Sequence, residues 1–135
     1  MQDINDQDAE RPRFRPVPWT GLETPADVEL WIAEYNLALQ EHIRPHETGY
    51  GVQFTLAEGG DIFMQTVDNA IVLDVSADAE WVAPLIVAVA RVEPPKGSLW
   101  ILPDDKLIQL IMGLSSLIAS TTLVVGHNFG RQRLR

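Results

Sequence analysis

Apolar residues along this chain follow two periodicities. Val28, Trp31, Ile32, Tyr35, Leu39 and Ile43 recur at the three-and-four spacing of one helix face, and Glu29, Glu34 and Glu41 fall on the polar side. Thr24-Pro25-Ala26-Asp27 supplies a start: a capping hydroxyl, a proline with φ already set, and a carboxylate for the positive end of the dipole. Pro45 ends the helix near Ile43. The period then changes to two. Val52, Phe54 and Leu56 alternate with Gln53 and Thr55, and two further strands are predicted at 61–67 and 70–75. Glu58-Gly59-Gly60-Asp61 and Asp68-Asn69 supply the turns between them.

Two-residue loops at both turns would set the register. Val52, Phe54, Leu56, Phe63, Val67 and Val72 then share one face, and Ile62, Met64, Ile71, Leu73 and Val75 the other. A meander with one wet side would alternate more cleanly. Both faces therefore need cover, from helices of this chain, a second copy or a client.

Ser76-Ala77-Asp78-Ala79-Glu80 resembles a second helix start. Pro84 is costly inside a helix but fits the first turn of one beginning near Ala83, whereas the β-branched run Leu85–Val89 is also compatible with a strand. A loop at 93–97 leads to a short strand over 98–102. Pro103-Asp104-Asp105 opens a last helix, with Leu107, Leu110, Ile111, Leu114, Leu117 and Ile118 as a wide apolar stripe. Residues 107–125 approach the apolar length of a membrane span, but Gln109, Ser115, Ser116, Ser120, Thr121 and Thr122 argue for a core or dimer helix instead. The predicted class is α+β: an antiparallel meander of three strands plus one short strand, flanked by three helices. Residues 1–18, with Pro12, Pro16 and Pro18, are expected to be a disordered arm, 19–130 a single domain, and 131–135 a basic tail.

Charge sharpens this picture. The net charge is −9. Arg11, Arg13, Arg15, Arg131, Arg133 and Arg135 all lie in the two ends, so residues 16–130 hold four basic against fifteen acidic residues, a net of −11. Such a body repels phosphate backbones, which excludes nucleic acid as the expected partner. No cysteine occurs, which removes thiolate chemistry and Cys-ligated zinc. The polar, acidic N-terminus lacks the pattern of a signal peptide, and the chain is read as cytoplasmic, with no membrane partner.

The search for chemistry returns little. His42 and His46 have metal-binding spacing, but Pro45 breaks the helix that spacing requires, and His127 stands apart. Ser115-Ser116 lacks a nucleophile elbow, Asp104 and Asp105 are explained by capping, and Gly59-Gly60 lacks the rest of a phosphate loop. No catalytic residue, cofactor or metal is expected. The candidates are surfaces instead. Trp31, Trp81 and Trp100 suit a core, although Trp81 also opens a segment, 78–92, suited to a partner. The partner-binding set is Trp19, Val52, Phe54, Leu56, Phe63, Val72 and Trp81.

The order helix, three-strand meander, helix, strand, helix, over 25–43, 50–75, 78–92 and 98–120, resembles the class I type III secretion chaperones and the related YbjN-like domains. The acidic body and amphipathic last helix are similar too. This chain departs in having one strand between its last two helices, where the family has two, and in its Pro-Arg arm. The resemblance implies a non-enzymatic, dimeric, cytoplasmic protein that holds an extended secretion client along apolar grooves. The acidic body suggests an alternative: a stoichiometric inhibitor or immunity-type protein that masks a basic site on an enzyme or nucleic-acid-binding complex.

Overall fold

The computed structural model describes residues 13–17, 19, 22–42 and 49–125. Its strands are β1 (Arg13–Val17), β2 (Gly51–Leu56), β3 (Asp61–Val67), β4 (Ala70–Val75), β5 (Leu99–Pro103) and β6 (Ile118–Val125). Its helices are α1 (Pro25–His42), α2 (Ala83–Ala90) and α3 (Leu107–Leu114). The fold is α+β, with a fully antiparallel sheet in the order β1-β6-β2-β3-β4-β5.

The meander and three helices match the sequence reading; the strand count does not. Residues 13–17 belong to the sheet rather than to a disordered arm. They pair with Thr121–Val125, and Thr121 Oγ1 donates to Val17 O at 2.7 Å inside the core. An edge strand with one neighbour tolerates Pro16. The remaining predicted arm and the 131–135 tail lie outside the described residues.

The last apolar stretch also divides. After α3 a short 3-10 turn, Ser115–Leu117, hands the chain to β6. Ile118, Thr121, Thr122, Val124 and Val125 are β-branched and fit a pleated surface better than a helix. No helix among the described residues is long and apolar enough to cross a membrane. The segment after β4 resolves in favour of helix: a 3-10 segment, Ala77–Val82, runs into α2 with Pro84 in its first turn. Arg91, left-handed at φ 56°, ends α2 with its N–H on Val87 O.

α1 begins as its sequence specifies. Thr24 Oγ1 accepts the Asp27 N–H at 3.2 Å, and Asp27 Oδ2 accepts the Glu23 and Thr24 N–H groups at 3.0 Å. These reciprocal bonds satisfy donors that a helix start otherwise leaves bare. The two amides also hold the Asp27 carboxyl below its ordinary pKa.

Sheet register corrects one expectation directly. β2 and β3 are joined by the four residues 57–60, with Leu56 N–H on Gly60 O and Gly59 N–H on Leu56 O. Gly59 and Gly60 both take positive φ, and a Cβ on Gly60 would collide with Ala79. The longer loop pairs Phe54 with Ile62 and Val52 with Met64. An odd register shift moves a whole strand to the other face. Val52, Phe54 and Leu56 therefore join Ile62, Met64, Ile71, Leu73 and Val75 on one side. The second turn has the expected two residues, Asp68-Asn69, so β3 and β4 pair as predicted.

That merged face is the core. Val52, Phe54, Ile62, Ile71 and Leu73 are fully buried, together with Leu102 and Leu123 from the flanking strands. The three helices close over it with Val28, Trp31, Ala38, Ile86, Ala90, Leu110, Ile111 and Leu114. Burying each such side chain contributes roughly 1.5–3 kcal/mol. The Ser115 hydroxyl joins the ends of the layer: it accepts the Leu22 N–H at 2.8 Å and donates to Leu22 O at 3.1 Å. The architecture is thus one helical layer on one side of one sheet.

Candidate interaction surface

The other side of the sheet has a different composition. Register places Gln53, Thr55, Phe63, Gln65, Val67, Val72, Asp74, Leu99, Ile101, Thr122 and Val124 there. Towards the β6 end Phe63 and Val124 are buried, and the Phe63 ring lies over Gly51, where a Cβ would strike both the ring and the Met64 carbonyl oxygen. Towards β4 and β5 the surface is open. Ile101 is 68% exposed and Val67 43%, with Val72 and Leu99 half-buried beside them. Neither Val67 nor Ile101 belongs to the core packed beneath the helices.

The seven predicted partner-binding residues separate accordingly. Val52, Phe54 and Leu56 are core residues and present nothing to a partner; the β2 register explains why. Phe63 is on the second face but buried. Val72 is on that face and partly open. Trp19 is half-buried on its own domain, edge-on to Trp31 at 5.5 Å and to Phe54 at 6.1 Å. Trp31 continues this cluster by stacking on Tyr35 at 5.7 Å, and burial pushes the Tyr35 phenol up, with Tyr50 beside it adding to the shift. Trp31 and Trp100 are buried as expected. Trp81 is not in the core: it is 41% exposed, and its Nε1 donates to Gly59 O at 3.1 Å, bracing the β2–β3 loop.

Sequence reasoning missed three exposed apolar positions. Ile101 sits in a strand that is apolar at both parities, so alternation gave no cue to which side was wet. Leu30 and Leu37 are 68% and 54% exposed on α1. They are seven apart and interrupt the face assigned to Glu29, Glu34 and Glu41; that interruption was the available signal.

A cleft of about 490 Å³ lies between α1 and the start of α3. Ile32, Ala33, Leu107 and Ile108 line it with apolar surface, and Glu29, Asn36, Asp104 and Asp105 supply its polar groups. Among the described residues no group of three or more His, Asp or Glu side chains could hold a metal ion. His46 and His127 lie outside the described residues.

Comparison with known protein families, with curated proteins and with solved structures finds no significant match.

Proposed function

We propose that this is a cytoplasmic, non-enzymatic, chaperone-like protein-binding protein, which holds a partner or secretion client on the open end of its sheet. The observation that supports this reading is the patch on the side opposite the helical layer, where Val67 and Ile101 are exposed and Val72 and Leu99 half-buried beside them. Exposed apolar clusters on an otherwise charged surface mark interaction sites. Neighbouring Gln65 and Asp74 give the patch the mixed character of a releasable interface rather than a permanent one. Affinity capture from the native host, with wild type and a V67K/I101K variant as paired baits, tests the reading. A partner retained by wild type and lost from the variant is expected. Equal retention by both overturns the assignment to this face.

The cleft supports a second reading, that of an acidic inhibitor or immunity-type protein. Glu29, Asp104 and Asp105 border an apolar floor and would complement a basic site. On this reading, binding weakens steeply between low and high salt; salt-independent binding contradicts it.

A further inference from the structure

Helix α1 carries two apolar stripes. The inner one, with Val28, Trp31, Tyr35 and Ala38, packs into the core. The outer one runs Ala26, Leu30, Ala33, Leu37, at intervals of four, three and four. All four outer residues are exposed, Leu30 and Leu37 most conspicuously for their size. At about 100° per residue the two stripes fall on opposite sides of the helix.

A helix that only covers a core needs the first stripe and not the second. The outer spacing is that of a coiled-coil seam, with Leu30 and Leu37 at position a and Ala26 and Ala33 at position d. Large and small residues alternate along it. The leucines can enter a facing helix, and the alanines leave room for side chains coming the other way. The seam is about 16 Å long, or roughly three helical turns.

The flanks decide what lies there. Glu29 and Asn36 stand at position g, and Glu34 and Glu41 at position e. Asp27, at the first e position, is held by the Glu23 and Thr24 amides. α1 contains no lysine or arginine. On the g side, Glu29 and Asn36 also line the cleft, facing Asp104 and Asp105, with Lys106 the one cation next to them in sequence. Residues at e and g set partner choice in coiled coils. A second copy of α1 would bring carboxylates against carboxylates, which disfavours a self-pair. A helix with lysine or arginine at the same positions meets complementary charge. A small organic cation could occupy the cleft but would leave Leu30 and Leu37 bare, whereas a helix covers both.

We propose that a basic amphipathic helix of a partner protein docks along the outer seam of α1. Its apolar side chains pack between Leu30, Ala33 and Leu37, and its lysines or arginines meet Glu29, Glu34 and the acidic rim of the cleft. Three turns of contact, against the cost of ordering the partner, make the complex reversible. This deepens the reading of the protein as an acidic inhibitor: it names the form of the basic site, and it rests on that reading for the sign of the partner's charge.

The experiment titrates the isotope-labelled full chain with three synthetic peptides. The first is a heptad peptide with leucine at a and d and lysine at e and g. The second has the same composition in scrambled order. The third has glutamate in place of lysine. The ordered lysine peptide should shift the amides of Leu30, Ala33 and Leu37 and bind at least tenfold more tightly than either control, a margin of about 1.4 kcal/mol. L30A/L37A should weaken that binding by about tenfold or more and leave the unfolding midpoint nearly unchanged, because both side chains are exposed. E29K/E34K should exchange the preference, losing the lysine peptide and gaining the glutamate one. No binding of the ordered lysine peptide, or binding without amide shifts on α1, overturns the proposal. Equal, salt-sensitive binding of the ordered and scrambled lysine peptides also overturns it, yet leaves the acidic-inhibitor reading standing. Preference of the wild type for the glutamate peptide removes both.

Discussion

Both faces of this sheet carry large apolar side chains, and those side chains end in different states. Under the helices, Val52, Phe54, Ile62 and Leu73 are sealed. On the reverse, Val67 and Ile101 come from the same strands or their immediate neighbours and remain open to solvent. What separates the two groups is parity within the strand, together with the placement of all three helices on one side. An apolar side chain in a strand contributes to stability only when something covers it, so one face carries the fold and the other is available for a partner.

That contrast can be broken first where it is strongest. Phe54→Ala removes a ring that contacts both Trp19 and Trp31 and should cost about 3–5 kcal/mol by denaturant unfolding. A cost under about 1 kcal/mol would mean that the covered face is not the core. Ser115→Ala should cost about 1–3 kcal/mol, because the buried Leu22 N–H and C=O both lose their partner. Thr24→Ala should cost about 1 kcal/mol through the lost α1 cap. V67K/I101K should change stability by no more than about 0.5 kcal/mol, since neither side chain is packed in the core. A large loss there would show that the open face also holds the fold together.

Acid titration adds a smaller effect with a definite sign. Asp27 has a folded pKa below its ordinary value of 3.8, owing first to the Glu23 amide and then to that of Thr24. Its contribution is complete above that ordinary value and disappears as pH falls through the lower folded value. Asp27→Asn should remove this part of the acid limb of the unfolding curve and leave the neutral region parallel to wild type.

Local chemistry was legible in the sequence to the extent that it was self-contained. The Thr24–Asp27 start, Pro84 in the first turn of α2 and the Asp68-Asn69 turn depend on residues a few positions apart, and each formed as its side chains dictate. Failures came where a long-range partner decides. The β2–β3 turn closes with Leu56 bonded to Gly60 and the three residues 57–59 between them, and this odd count in place of an even one moved Val52, Phe54 and Leu56 from the candidate surface into the core. β1 and β6 stabilise each other across more than a hundred residues, so neither Arg13–Val17 nor Ile118–Val125 announces itself as a strand alone. The exposure of Ile101 depends on which side the helices choose, a fact that the pattern of a wholly apolar strand does not encode.

Methyl NMR with a soluble nitroxide probe tests the division between the faces most directly. Signals of Val67 and Ile101 should broaden strongly, while those of Val52, Ile62, Ile71 and Leu73 stay sharp. Equal protection of both sets would contradict an open face, and with it the surface on which a partner is proposed to bind.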